Sequence, residues 1–139
     1  MRVLIDTNVI LDWIMVRKPF AEAATKVMEE CLFGNTESFL TAHTLTDLFY
    51  ILRKDLSVKQ RKEILTLLCD KLKIIPEGSE IIKKALANEF WPDLEDGLQM
   101  QCAADEKVDF IITRNVVDFS KSKIKAILTE DFYQLIVKK

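Results

Sequence analysis

The stretch "VLIDTNVILDW", residues 3–13, decides the fold. Three apolar residues, Val3, Leu4 and Ile5, run straight into Asp6, and a second apolar run follows Thr7 and Asn8. Arg2 to Ile5 is short, apolar and β-branched, so it reads as a buried strand, and Val9 to Met15 then reads as a helix. An aspartate at that junction is either a turn residue ahead of a helix, with Thr7 or Asn8 as the cap, or half of something that binds a cation.

The same alternation continues along the chain. Phe20 to Phe33 reads as a helix ending at Gly34, and Ser38 to Leu40 as a weak strand. Leu45, Leu48, Phe49 and Leu52 fall at i, i+3, i+4 and i+7, a helix face that Val58 to Cys69 repeats. Leu72 to Ile75 is a strand stopped by Pro76; Glu80 to Phe90 and Leu94 to Ala104 are helices parted by Trp91-Pro92-Asp93. Phe110 to Ile112 is the second clear strand, Ile124 to Leu128 the last, and Asp131 to Val137 closes as a helix. Short buried strands alternating with helices imply an α/β fold, a three-layer α/β/α sandwich around a parallel sheet of four to five strands. Residues 1–139 read as one domain. Sites in such sheets lie beyond the carboxyl ends of the strands, where Asp6 sits.

Composition removes several chemistries. With one histidine, His43, no site needing two is available, and that residue reads as packing or capping. Three scattered glycines build neither a P-loop nor a dinucleotide fingerprint. Cys31, Cys69 and Cys102 are odd in number, lie in apolar stretches and read as reduced core thiols of a cytoplasmic protein. No apolar window is long enough for a membrane span, and Asp6 and Asp12 interrupt the only candidate for a signal peptide. Charge is uneven: Arg53 to Lys73 holds seven bases and three acids, whereas Leu86 to Glu106 holds six acids and no base. The basic run is a solvated helix face or a surface for nucleic-acid phosphates.

Carboxylate is what remains in quantity, and each acid also has a local structural reading. Thr44-Leu45-Thr46-Asp47 nearly matches a capping box. Asp93 can cap the next helix, with Glu95 and Asp96 in the first turn that the dipole favours for acids. Asp118 can be a turn residue after Thr113-Arg114-Asn115. Jointly, however, these acids fall at strand carboxyl ends or helix amino ends, which can converge on one rim. Carboxylates gathered there need a cation, and oxygen-only ligands point to Mg²⁺ or Mn²⁺, which activate water against phosphodiesters.

With those residues in view, the chain resembles the PIN-domain ribonucleases, the family that includes VapC-type toxins. Four segments carry the resemblance in order over nearly the whole chain: "VLIDTNVIL", "AHTLTDLFYIL", "DLEDGLQMQCA" and "DFIITRNVVDF". The resemblance implies a metal-dependent endoribonuclease leaving a 5′-phosphate and a 3′-hydroxyl. It implies Asp6 and Asp96 as principal ligands of Mg²⁺ or Mn²⁺ and Asp47 as the second acid, where the family commonly has glutamate. Asn115 or Asp118 would fill the fourth position. Thr7, Asn8, Thr113 and Asp93 would be polar supports around them. Arg53, Lys54, Lys59, Arg61 and Lys62 are candidates to hold RNA phosphates. The expected partners are RNA, an antitoxin protein and a second copy of the chain. One alternative is a PIN-fold module that binds RNA or a partner without cleaving it. The other is a haloacid-dehalogenase-type phosphatase, which needs an aspartate where Asn8 stands.

Overall fold

The computed structural model describes residues 1–91 and 93–138; Pro92, the expected helix breaker, lies outside the described residues. Five strands form one parallel sheet: β1 (Arg2–Ile5), β2 (Glu37–Thr41), β3 (Lys73–Ile75), β4 (Phe110–Thr113) and β5 (Ala126–Leu128), in the order β3-β2-β1-β4-β5. The helices are α1 (Thr7–Ile14), α2 (Ala21–Phe33), α3 (Ala42–Ile51), α4 (Val58–Lys71), α5 (Ser79–Ala87), α6 (Leu94–Glu106) and α7 (Thr129–Val137).

Strand alternation sorts the core into two layers. Val3, Ile5, Leu40 and Ile112 pack on one face against Val9 and Ile10 of α1, Val27 and Met28 of α2, and Leu48, Leu68 and Phe132. Leu4, Phe39, Ile75 and Ile111 face the other way, onto Met100, Cys102 and Ala103 of α6. Both faces of β1 are apolar because helices cover both, with Leu4 in register between Phe39 and Ile111 on one of them. This is the α/β/α sandwich expected from the sequence. Each such side chain, fully buried, contributes about 1.5–3 kcal/mol, so the central strands form a rigid base.

The connectivity places the site. From β1 the chain adds β2 and then β3 on one side, while β4 and β5 lie on the other. The reversal falls between β1 and β4, and a crevice opens there beyond their carboxyl ends. Asp6 stands at its mouth, its backbone N–H donating to the Ile112 carbonyl at 2.9 Å.

Several boundaries differ from the sequence reading. The first helix starts at Thr7, with Asp6 at the cap position but making no side-chain cap bond. The third starts at Ala42, so Thr44 lies inside it, and the near-match to a capping box is coincidental because β2 runs directly into the helix at Thr41. The fifth stops at Ala87, where Asn88 turns back and its Oδ1 accepts from the Phe90 N–H at 2.9 Å. Cys69 is exposed, not a core thiol, because Leu68 beside it takes the inward position of α4. Cys31 and Cys102 are buried, and burial pushes both thiols up to about 12. Among the described residues no helix is long and apolar enough to cross a membrane.

Candidate metal centre

The crevice holds a cavity of about 200 Å³ lined by Asp6, Thr7, Asn8, Leu11, Asp47, Ile51, Glu95, Asp96, Gln99, Asn115 and Asp118. Four separate segments therefore deliver their acids and amides to one place. Of the remaining expected residues, Thr113 lies beneath the cavity. Asp93 lines an adjoining pocket of about 480 Å³, which shares Asp96 and Asp118 and adds Phe90, Trp91, Val117 and Lys121.

Asp6 is buried and held at both oxygens. Gln99 Nε2 donates to Oδ1 at 2.9 Å, and Thr113 Oγ1 donates to Oδ2 at 2.8 Å. Thr113 Oγ1 in turn accepts from the Asn115 backbone N–H at 2.9 Å, which ties the turn after β4 to the carboxylate of β1. An ionised carboxylate has about four acceptor positions, so lone pairs remain for a cation. Gln99 Oε1 is buried with no hydrogen-bond partner among the described residues, one more oxygen available at the same wall.

Asp96 sits in the first turn of α6, where Asp93 Oδ1 accepts from the Asp96 N–H at 3.0 Å. The cap reading of Asp93 is thus met by the geometry. The next residue must be small: a Cβ on Gly97 would come within 2.2 Å of the Trp91 ring, whose Nε1 donates to the Ala85 carbonyl at 3.0 Å. Trp91 accordingly lies across the start of the helix and braces the turn that carries Asp96.

Electrostatics set Asp96 apart from an ordinary first-turn acid. Its carboxyl is pushed up to about 6, first by burial and then by the charges of Asp93, Asp6, Asp118 and Glu95. Glu95 is also raised, by burial and then by the Asp47 carboxyl against which it lies. Crowded like charges hold on to protons unless a cation replaces them. The donors at Asp6, Asp47, Asp96, Asn115, Asp118 and Gln99 are all oxygens, a set that fits a hard divalent ion.

Buried polar contacts brace the rim. Thr44 Oγ1 lies 3.0 Å from both Thr7 Oγ1 and Thr41 Oγ1, joining the starts of α1 and α3. Asp12, 1% exposed, faces Arg114 Nε at 2.9 Å and Arg17 at 3.9 Å; the first is a close ion pair without the alignment of a hydrogen bond. Burial raises the Asp12 carboxyl against the pull of the two guanidiniums. Arg114 also stacks over the Phe20 ring at 4.2 Å, so the residue before Asn115 is anchored to α1 and to the loop ahead of α2.

The basic segment divides. Arg61, expected to face RNA, is buried; its guanidinium donates to the Phe49 carbonyl at 2.7 Å and lies over the Phe49 ring at 4.3 Å. Arg61 is therefore a packing residue that closes α4 onto α3. Arg53 folds onto Tyr50, donating to its carbonyl at 2.9 Å. Lys54, Lys59 and Lys62 are exposed, and the latter two line a groove of about 700 Å³ that shares no residue with the acid cavity.

Gln99 and Glu77 have no part in the sequence analysis, and Glu95, Asp12 and His43 have no site role there. Gln99 follows Asp96 by three residues and Asp47 follows His43 by four, so helix periodicity could have placed each pair on one face. Nothing local pairs Asp12 with Arg114 or Glu77 with His43, because those partners lie far away in sequence.

The profile of the PIN domain family matches residues 2–117. Comparison of the sequence with curated proteins gives no match. Similar solved structures include a toxin–antitoxin complex from Klebsiella pneumoniae (TM-score 0.70, 19% identity, 91% of this chain and 97% of that one). A second is VapBC-1 from nontypeable Haemophilus influenzae (TM-score 0.65, 18% identity, 94% and 99%). A third is VapC20 of Mycobacterium tuberculosis, described as a sarcin–ricin loop cleaving toxin (TM-score 0.64, 9% identity, 78% and 86%). At these identities the likeness is one of fold.

Proposed function

The chain belongs to the PIN domain family, and on that premise we propose that it is a metal-dependent endoribonuclease, the toxin of a toxin–antitoxin pair. The observation that carries this reading is the convergence of Asp6, Asp47, Asp96 and Asp118 on one cavity at the topological reversal of the sheet. The structural relatives support it: one is a toxin–antitoxin complex and another a toxin that cleaves the sarcin–ricin loop. An antitoxin partner, a homodimer and RNA as substrate belong to the same proposal.

Asp6, Asp47 and Asp96 would hold Mg²⁺ or Mn²⁺, with Asn115 or Asp118 as the fourth group. Such an ion, when bound, lowers the pKa of a coordinated water and neutralises charge on the scissile phosphate. The protein's own part is preorganisation. Gln99 and Thr113 fix the Asp6 carboxylate in place, so little reorganisation accompanies cation binding. The proton that Asp96 retains near pH 6 must leave when a cation enters, so affinity should rise as pH climbs through that value. In the adjoining pocket Lys121 offers charge to the RNA backbone, and Phe90 and Trp91 offer faces for stacking bases. Arg53, Lys54, Lys59 and Lys62 would add sequence-independent phosphate contacts.

The test is incubation of purified protein with a panel of single-stranded and structured RNAs in Mg²⁺ or Mn²⁺. Cleavage that leaves a 5′-phosphate and 3′-hydroxyl, and that EDTA stops, supports the reading. RNA binding without cleavage in either metal would make this a binding module instead.

A further inference from the structure

We propose that His43, Asp47 and Glu95 form a second cation site beside the carboxylate cavity, one that takes a divalent transition ion of the Zn²⁺ or Co²⁺ kind. The site shares Asp47 with the proposed nuclease centre but does not depend on RNA cleavage. One ligand atom from each of the three residues lies within 4.8 Å of the others. His43 and Asp47 are four residues apart on α3 and share a face, while Glu95 reaches across from the first turn of α6.

The histidine is already oriented as a metal ligand would be. Its Nδ1 donates to Glu77 Oε2 at 2.7 Å, and its backbone N–H donates to Glu77 Oε1 at 2.5 Å. Glu77 is itself buried, so this two-point grip fixes both the ring and its tautomer. The other ring nitrogen, Nε2, is the one left for an ion. It is buried and has no hydrogen-bond partner among the described residues, a condition that buried polar atoms rarely tolerate. A carboxylate behind an imidazole whose far nitrogen meets an ion is the usual support for a metal-binding histidine.

The donor set chooses the ion. One imidazole nitrogen and two carboxylates suit Zn²⁺ or Co²⁺, whereas Mg²⁺ prefers oxygen alone. Donors bound at 2.0–2.2 Å stand roughly 3.0–3.5 Å apart, so the three must close by about an ångström. Glu95 is exposed and can supply that movement by a rotamer change. Three protein ligands leave a fourth position for water.

His43 is the only histidine, so the imidazole region of a ¹⁵N NMR spectrum reports it alone. Zn²⁺ should shift the Nε2 resonance at one equivalent, and Mg²⁺ should leave it in place. Glu95→Gln and Glu77→Gln should each weaken Zn²⁺ binding about 10- to 100-fold, with melting curves confirming that both variants fold. Asp6→Asn, which disables only the carboxylate centre, should leave the His43 response intact. That separates this proposal from the nuclease reading, whose own failure would appear as RNA left uncut. No shift of Nε2 in excess Zn²⁺, or loss of Zn²⁺ binding in Asp6→Asn with none in Glu95→Gln, would overturn the site and leave His43 as the ion-pair partner of Glu77.

Discussion

Asparagine in place of Asp96 should raise the melting temperature of the metal-free protein, although it removes a favourable first-turn acid. The wild-type carboxyl is pushed from 3.8 to about 6. The folded state therefore holds a proton that the unfolded chain releases across that window, and stability falls as pH rises through it. The carboxyl's rise corresponds to about 3 kcal/mol; screening at a half-buried position reduces it to roughly 1.5–2 kcal/mol. The lost dipole interaction costs about 0.3–1 kcal/mol, and the Asp93 cap is untouched because it bonds the backbone N–H. The net gain is about 1 kcal/mol, some 4 °C for a chain of this size. In EDTA at pH 7.5 Asp96→Asn should thus melt above wild type, and the difference should shrink towards pH 4. Millimolar Mn²⁺ should reverse the order, since wild type gains about 2.7 kcal/mol at a hundredfold excess over Kd and the variant much less. Calorimetric scans in both buffers decide it. A variant less stable by the same amount with and without metal would reduce Asp96 to an ordinary helix acid.

Three further outcomes follow from the same contacts. Thr113→Val removes a donor to Asp6 and an acceptor for Asn115, and should cost about 1–3 kcal/mol in urea unfolding while weakening Mn²⁺ binding; unchanged Mn²⁺ affinity would deny it a role in positioning Asp6. Arg114→Met leaves Asp12 buried with only the distant Arg17, so denaturation should show a loss of about 3 kcal/mol; a loss under 1 kcal/mol would mean the pair is solvated. Lys59→Glu with Lys62→Glu should weaken RNA binding and flatten its salt dependence in a filter-binding assay, and an unchanged slope would return that face to solvent.

Much of the architecture was legible because its signals are local. Val3 to Ile5 and Phe110 to Ile112 are apolar runs that only a sheet covered on both faces accommodates, and the matching layers bury them so. Asp6 and Asp96 were legible because they stand at element ends, which a parallel sheet brings to one rim, whereas Asp47 reaches that rim from midway along α3. What escaped depends on partners distant in sequence. Asp12 looked like an interruption of an apolar run until Arg114 arrived from β4, and Arg61 looked like a free base until Phe49 supplied a carbonyl and a ring. Thr44 misled because the cap motif is defined by three-residue spacing, which Thr44 and Asp47 also satisfy from inside α3.

On the proposed reading, the carboxylates at the β1–β4 reversal hold a metal ion that supports RNA cleavage. Single-turnover cleavage of one RNA by wild type, Asp6→Asn and Asp96→Asn in matched Mn²⁺, with RNA affinity measured on the same samples, tests it most directly. Wild type should cleave, and each variant should lose cleavage by orders of magnitude while binding the RNA at least as well. Cleavage by Asp96→Asn at the wild-type rate would exclude Asp96 from the metal site.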